Sequence, residues 1–295
     1  MGASKRGLSM KRRYLAFLLV FLLFGCATLQ GEPPTPAPQL WEELSPQEKQ
    51  REIEAVAAMP FEELTHRLAE EPQKISEEYL LLAGTDWELP VSVLRGQEPG
   101  VSVYIVGGIH GDEPAGWLAG QCMQQAKLTA GTVYLASPVN QYGAKTLQRK
   151  TREGWDLNRH FPGAANGTDA ERIAAALYAD IVDKESTLVL DLHEALAPTW
   201  ERDALQNTII CHSVEEIGDL VLKILDETEA GRLCSGSFSL YGSPPQGSIH
   251  RVVAEQAGIP VITIETDRQQ PLKERVANQL DLIGYILAWY GLGAA

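Results

Sequence analysis

Short apolar runs alternate with amphipathic stretches along most of the chain. VSVYIV (101–106), TVYLASPV (132–139), TLVLDLH (187–193), NTIICHS (207–213) and IPVITIE (259–265) are rich in β-branched residues. Most of them are continuously apolar, as expected of strands buried on both faces. Between them, PAGWLAGQCMQQA (114–126), AERIAAALYADIV (170–182) and EEIGDLVLKILDET (215–228) repeat apolar positions at helical spacing, and LKERVANQLDLIGYILAWYG (272–291) does so again. Strands separated by helices predict an α/β domain with a mixed, mostly parallel sheet. In such sheets, functional residues gather at the carboxyl ends of strands.

Upstream the pattern is different. SPQEKQREIEAVAAM (45–59) offers Ser45 as N-cap, Pro46 at the first helical position and Glu48 as capping-box partner. FEELTHRLAEE (61–71) predicts a second helix, and both read as surface helices leading into the domain. Before them, ATLQGEPPTPAPQ is a Pro-rich tether. Farther upstream, Lys5, Arg6, Lys11, Arg12 and Arg13 precede YLAFLLVFLLFG, an apolar run too short for a comfortable membrane span. Basic residues before a short apolar run form a secretion signal. Its end, LFGC (23–26), resembles a bacterial lipobox, in which Cys26 is lipidated and becomes the mature N-terminus, although Phe24 is unusual there. An uncleaved anchor is the alternative. Both place the domain outside the cytoplasm. The organisation expected is a lipoprotein-type signal peptide over 1–25, a tether over 26–44, a helical lead-in over 45–78 and the α/β domain over 79–295.

Charge narrows the partners. Cleavage before Cys26 removes five cations and no acids, taking the net charge from −14 to −19. So acidic a chain does not seek phosphate backbones, which excludes nucleic acid as a natural partner. The three remaining cysteines, Cys122, Cys211 and Cys234, are widely spaced and form no Cys-x-x-Cys pattern. They read as small buried apolar residues, with room for one bridge in an oxidising compartment.

Candidate chemistry sits where strands end. GGIHGDEPAG (107–116) follows the run 101–106, His193 ends the run 187–193, and Glu265 ends the run 259–265. His110 and Glu113, three residues apart, can face one ion, and His193 can join them from another strand. Two histidines and a carboxylate are a common catalytic zinc set, leaving a position for water. A lone His-x-x-Glu occurs by chance in many chains; three strand ends finishing on such residues point to a site. Asp191 lies two residues before His193, on the same face of its strand. A role behind that histidine and a buried salt bridge are both open for it. Glu194 faces the other way and reads as structural, and His66, His160, His212 and His250 have no assigned partner.

Four segments in this order resemble the zinc carboxypeptidase superfamily, in its succinylglutamate desuccinylase and aspartoacylase branch: GGIHGDEPAG, RKTREGWDLNRHFPG (149–163), LDLHEA (190–195) and VITIETDR (261–268). The resemblance implies a single carboxypeptidase-like domain and one zinc ion per chain, held by His110, Glu113 and His193. It implies Glu265 as the general base toward the metal's water, Arg149 as the group polarising the scissile carbonyl, and Asn158 with Arg159 as the grip on a substrate carboxylate. Asp156 would orient His110 from behind. Arg152 is the alternative to Arg149, because the deacylase branch places its arginine closer to the Asn-Arg pair. Carboxypeptidases also lower a mobile tyrosine over the substrate; Tyr241, in FSLYGSPPQGS, is a loose match.

These residues imply a zinc-dependent amide hydrolase acting on a small peptide, from the cell wall among other sources, or on an N-acyl amino acid. Motif spelling favours the deacylases, which are usually cytoplasmic, whereas the export signal favours a peptidase. A binding module that lost its chemistry would have no reason to keep His110, Glu113, His193, Arg149 and Glu265 together. An Asn-Arg pair in so acidic a chain further implies an anionic group on the substrate.

Overall fold

A computed structural model describes residues 40–70, 77–195, 205–212 and 217–293. The signal region, Cys26 and residues 26–39 of the tether lie outside these residues. Eight strands form one sheet: β1 (Glu77–Leu81), β2 (Leu89–Arg95), β3 (Glu98–Gly107), β4 (Ala130–Ala136), β5 (Leu188–Ala195), β6 (Thr208–Cys211), β7 (Ser239–Tyr241) and β8 (Val261–Asp267). Their order is β1-β2-β4-β3-β5-β8-β6-β7. The four central strands β4, β3, β5 and β8 run parallel, β1 and β2 add an antiparallel hairpin on one side, and β6 is antiparallel to β8 on the other. The sheet is therefore mixed and mostly parallel at its centre.

The continuous apolar runs are explained by two cores. On β3, Val103 and Ile105 pack into one core and Tyr104 and Val106 into the other, all buried. One face is covered by α1 (Pro46–Ala57), α2 (Phe61–Leu64), α3 (Pro114–Met123), α6 (Gly218–Glu229) and α8 (Leu272–Trp289). The other is covered by α5 (Asp169–Asp183) and α7 (Ile249–Val252), while α4 (Gln141–Thr146) is a short turn after β4.

Ser45 and Glu48 form the expected capping box on α1. The second lead-in helix is shorter than expected. It ends at Leu64 because Thr65 is extended and donates its hydroxyl to Asp281 Oδ1 at 2.8 Å. Nor is the lead-in a free surface layer: Ile53, Val56, Phe61 and Leu64 are buried within the core that includes α8. The strands carrying His193 and Glu265 run two residues past them, to Ala195 and Asp267, where they remain paired with each other. The three cysteines beyond Cys26 are free, with Cys122 and Cys211 buried.

Candidate metal centre and the cavity beside it

Two glycines shape the turn that leaves β3. Gly108 has φ of 71°, and a side chain there would strike Trp117 and Pro138. At Gly111 a Cβ would fall 1.8 Å from the backbone of Gly143, so only glycine fits. The turn is closed by Glu113 N–H to the His110 carbonyl at 3.4 Å and by Trp117 Nε1–H to the Gly111 carbonyl at 3.2 Å. Glu113 then caps α3, with Pro114 at its first position. The result is that His110 and Glu113 both point inward, 3% and 2% exposed.

His193 reaches the same place from β5. Its Nδ1 lies 2.7 Å from Glu113 Oε2, while His110 Nδ1 lies 2.8 Å from Glu113 Oε1. One ligand atom from each of the three residues falls within 4.8 Å of the others. Each ring also has a carboxylate behind it: His110 Nε2 is hydrogen-bonded to Asp156 Oδ1 at 3.0 Å, and His193 Nε2 lies 3.0 Å from Asp191 Oδ1 as a charge pair without hydrogen-bond geometry. Asp191 is itself held by the Thr263 hydroxyl, which donates to Oδ2 at 3.1 Å, and His250 Nδ1 lies 2.8 Å from that hydroxyl. A carboxylate behind each histidine fixes its tautomer and aims the opposite nitrogen forward.

The electrostatics favour positive charge at this point. Burial alone would raise the Glu113 carboxyl, but His110 and His193 outweigh it and hold the group well below the usual range. Burial alone would lower the His193 ring, yet Asp191 and Glu113 raise it well above its ordinary value. Asp156 is likewise held low: burial opposes ionisation, and the His110 contact with the Arg149 and Arg159 charges prevails. Two imidazoles and a carboxylate, all buried and all braced, fit zinc by their chemistry.

The remaining residues line a cavity of about 620 Å³ that includes all three candidate ligands. Glu265 is the register neighbour of His193, so both side chains rise from the same face of adjacent strands. Among the described residues no group donates a hydrogen bond to its carboxylate. Burial, with the Glu113 and Asp191 charges and against the attraction of His193, pushes its carboxyl up to about 7.

Arg149 also lines the cavity, and its Nη1 donates to Glu113 Oε1 at 2.9 Å. Arg152 does not join it: that side chain is exposed and lies 3.6 Å from Asp86, in a separate cavity. Asn158 is buried, with Oδ1 accepting the Ile249 N–H at 3.0 Å and Nδ2 3.3 Å from His193 Nε2. Arg159 lines the cavity but is exposed, its Nη1 donating to the Asn158 carbonyl at 2.7 Å. Tyr241, on edge strand β7, stands in the cavity wall at 46% exposure. Sequence reasoning left Asp191 undecided, read Glu194 as structural and gave Thr263 and Arg268 no role. The signal for Asp191 was its i, i+2 spacing from His193. For Arg268 it was a cation directly after an acidic strand end.

Taken together, the fold and this donor set define a metallohydrolase-type site at the carboxyl ends of parallel strands. Residues 99–285 match the succinylglutamate desuccinylase/aspartoacylase catalytic domain, and the chain belongs to that family, a zinc carboxypeptidase-like group of amide hydrolases. It is similar to an N-α-acetyl-L-2,4-diaminobutyric acid deacetylase from Halomonas elongata, 36% identical over 110 residues, 36% of this chain. That match spans 31% of the relative's length. Among solved structures, an aspartoacylase family protein from Mesorhizobium loti has a TM-score of 0.55 at 25% identity, covering 74% of this chain and 67% of that one. A tripeptide-bound cell shape determinant protein from Helicobacter pylori shares the fold, with a TM-score of 0.59 at 18% identity over 68% of this chain and 55% of its own.

Proposed function

We propose that the chain is a zinc-dependent hydrolase that cleaves an amide next to a free carboxylate, in a short peptide or an N-acylated amino acid. The observation that carries this reading is the shared cavity: a braced His-Glu-His set, an unpaired carboxylate beside it, and two arginines in its lining. His110, Glu113 and His193 would hold the metal. Once bound, zinc supplies Lewis acidity toward the carbonyl and makes water easier to deprotonate.

The chain's own residues do the rest. Glu265, free of protein donors and raised toward neutrality, accepts a proton from the attacking water as the new C–O bond forms. It returns that proton to the amine nitrogen as the C–N bond breaks, so the acid and amine products leave with water's atoms divided between them. Arg149 donates toward the carbonyl oxygen. Arg159 meets the substrate carboxylate at the cavity mouth, where a planar two-pronged donor suits it.

The relatives support both substrate classes: one is a deacetylase of an acylated diamino acid, and another was solved with a tripeptide. The test is a panel of N-acyl amino acids and short peptides, each free or amidated at the carboxylate nearest the scissile bond, offered to the zinc-loaded full chain. Free acids should be hydrolysed and their amides largely spared. Equal turnover of both members of each pair would rule out carboxylate reading.

The same proposal places the protein outside the cytoplasm, on a lipid carried by Cys26. Among the described residues no helix is long and apolar enough to cross a membrane. Cys26→Ser should move the protein from the membrane fraction to the soluble fraction; continued membrane association would refute lipid anchoring.

A further inference from the structure

One buried guanidinium touches every segment that carries a residue of the metal centre, apart from Asp156. Arg268 follows β8, three residues after Glu265, and is 5% exposed. Its Nη2 donates to the Asp112 carbonyl at 2.5 Å and lies 3.4 Å from the Asp112 carboxylate, in the turn between His110 and Glu113. Its Nε lies 3.2 Å from Oε2 of Glu194, the residue after His193, as a charge pair without hydrogen-bond geometry. Its Nη1 donates to Glu42 Oε1 at 3.0 Å, in the 3-10 turn Trp41–Glu43 just before the lead-in.

Glu194 extends the network back toward the ligands. Its Oε1 accepts the Ala115 N–H at 2.6 Å in the first turn of α3, and its own N–H donates to Glu113 Oε2 at 3.2 Å. Its Oε2 accepts from Arg275 Nη1 at 2.7 Å, and the Arg275 guanidinium sits 5.0 Å from the Trp41 ring centroid. Two arginines are thus buried among Glu194, Asp112 and Glu42, on the face of the sheet opposite His193. Burying such charges is costly unless each is paired, so their retention asks for a use. The turn Trp41–Glu43 lies outside the family match at residues 99–285.

The geometry points to Arg268 as a positioning residue: it clamps the His110–Glu113 turn against β5 and β8, and Glu42 with Trp41 completes the clamp from outside the family's domain. A metal site tolerates only small displacements of its ligands. Here the turn bearing two ligands has no strand pairing of its own, so its register against His193 depends on contacts such as these. Lysine cannot replace Arg268, because an ammonium is a point charge and does not span three directions in one plane. The inference rests on the reading of His110, Glu113 and His193 as metal ligands.

Zinc affinity of the full chain, measured by competition with a chromophoric chelator, tests it without any substrate. Arg268→Lys should weaken zinc about 10–100-fold, the range for groups that brace metal ligands. Should that variant fail to fold, Glu42→Gln, at a half-exposed position, serves in its place. It should weaken zinc several-fold and lower kcat more than it raises KM, with the zinc-free melting temperature little changed. Wild-type zinc affinity and kcat in Glu42→Gln would overturn the proposal, as would a lowered melting temperature with zinc affinity intact. A wild-type chain that holds no zinc overturns the metal reading as well; one that holds zinc as tightly as its variants overturns the clamp alone.

Discussion

The two walls of the cavity proposed as the active site are built on different terms. On the proposed metal wall, His110, Glu113 and His193 are buried, and each imidazole has a carboxylate oxygen within 3.0 Å of both of its nitrogens. On the wall proposed to read substrate, Arg159 and Tyr241 are exposed, and Arg159 Nη1 donates to the carbonyl of its neighbour Asn158. The difference shows where precision is needed. Metal chemistry fails when ligands shift by fractions of an ångström, so the fold over-determines them. Substrate-reading groups at a cavity mouth tighten when substrate arrives, and their contacts in the free protein are loose. The sequence argument for a substrate anion, an Asn-Arg pair in an acidic chain, would be strongest for a buried arginine, which is costly without an anion. The exposure of Arg159 removes that cost, and the case for a carboxylate rests instead on its place in the cavity wall.

Breaking the metal wall or its base should cost most. Glu265→Gln keeps the shape but cannot accept a proton, and should lower kcat by about 10²–10⁴-fold with fold and zinc content retained. In the proposed role Glu265 works only when ionised. With its carboxyl raised to about 7, kcat/KM should rise with pH through neutrality and fall below it. An acidic limb near pH 4, or a Glu265→Gln variant at half the wild-type rate, would remove Glu265 from the role.

Loosening the brace should cost less. Asp191→Asn, examined beside Asp156→Asn, should weaken zinc about 10–100-fold while sparing KM. Unchanged affinity in both would mean that the carboxylates are only buried partners of the histidines. On the substrate wall, Arg159→Ala should reduce kcat/KM for a free carboxylate about 10–100-fold, the value of a hydrogen bond to a charged group. It should leave an amidated substrate nearly unaffected. An equal loss on both would show that Arg159 does not meet the carboxylate. Tyr241→Phe should have the smallest effect, a few-fold at most, since an exposed edge-strand tyrosine contributes only when substrate covers it; a loss comparable to that of Glu265→Gln would place Tyr241 in the chemistry.

Much of the metal wall was legible in the sequence because its physics is local. A buried parallel strand needs a continuous apolar run, and a polar residue interrupting one, such as Asp191 or His193, must have a partner. Gly108 and Gly111 mark a turn that no other residue fits, which is why GGIHG stands out as a string. The edge strands β1 and β7 were not visible. Edge strands lack the two-sided burial that writes a continuous apolar pattern, and the three residues of β7 are all exposed. The clamp around Arg268 was hidden for another reason. Glu42, Asp112, Glu194 and Arg268 are distant in sequence, and no spacing rule connects them. FEELTHRLAEE misled because helical periodicity continues past Leu64, while the Thr65–Asp281 contact that ends the helix is tertiary.

The central claim is that one zinc ion sits among His110, Glu113 and His193, and elemental analysis of the dialysed full chain tests it most directly. Wild type should carry one zinc per chain, and His193→Ala, folded by circular dichroism, should carry almost none. A folded His193→Ala protein that still holds a full equivalent of zinc would contradict the claim.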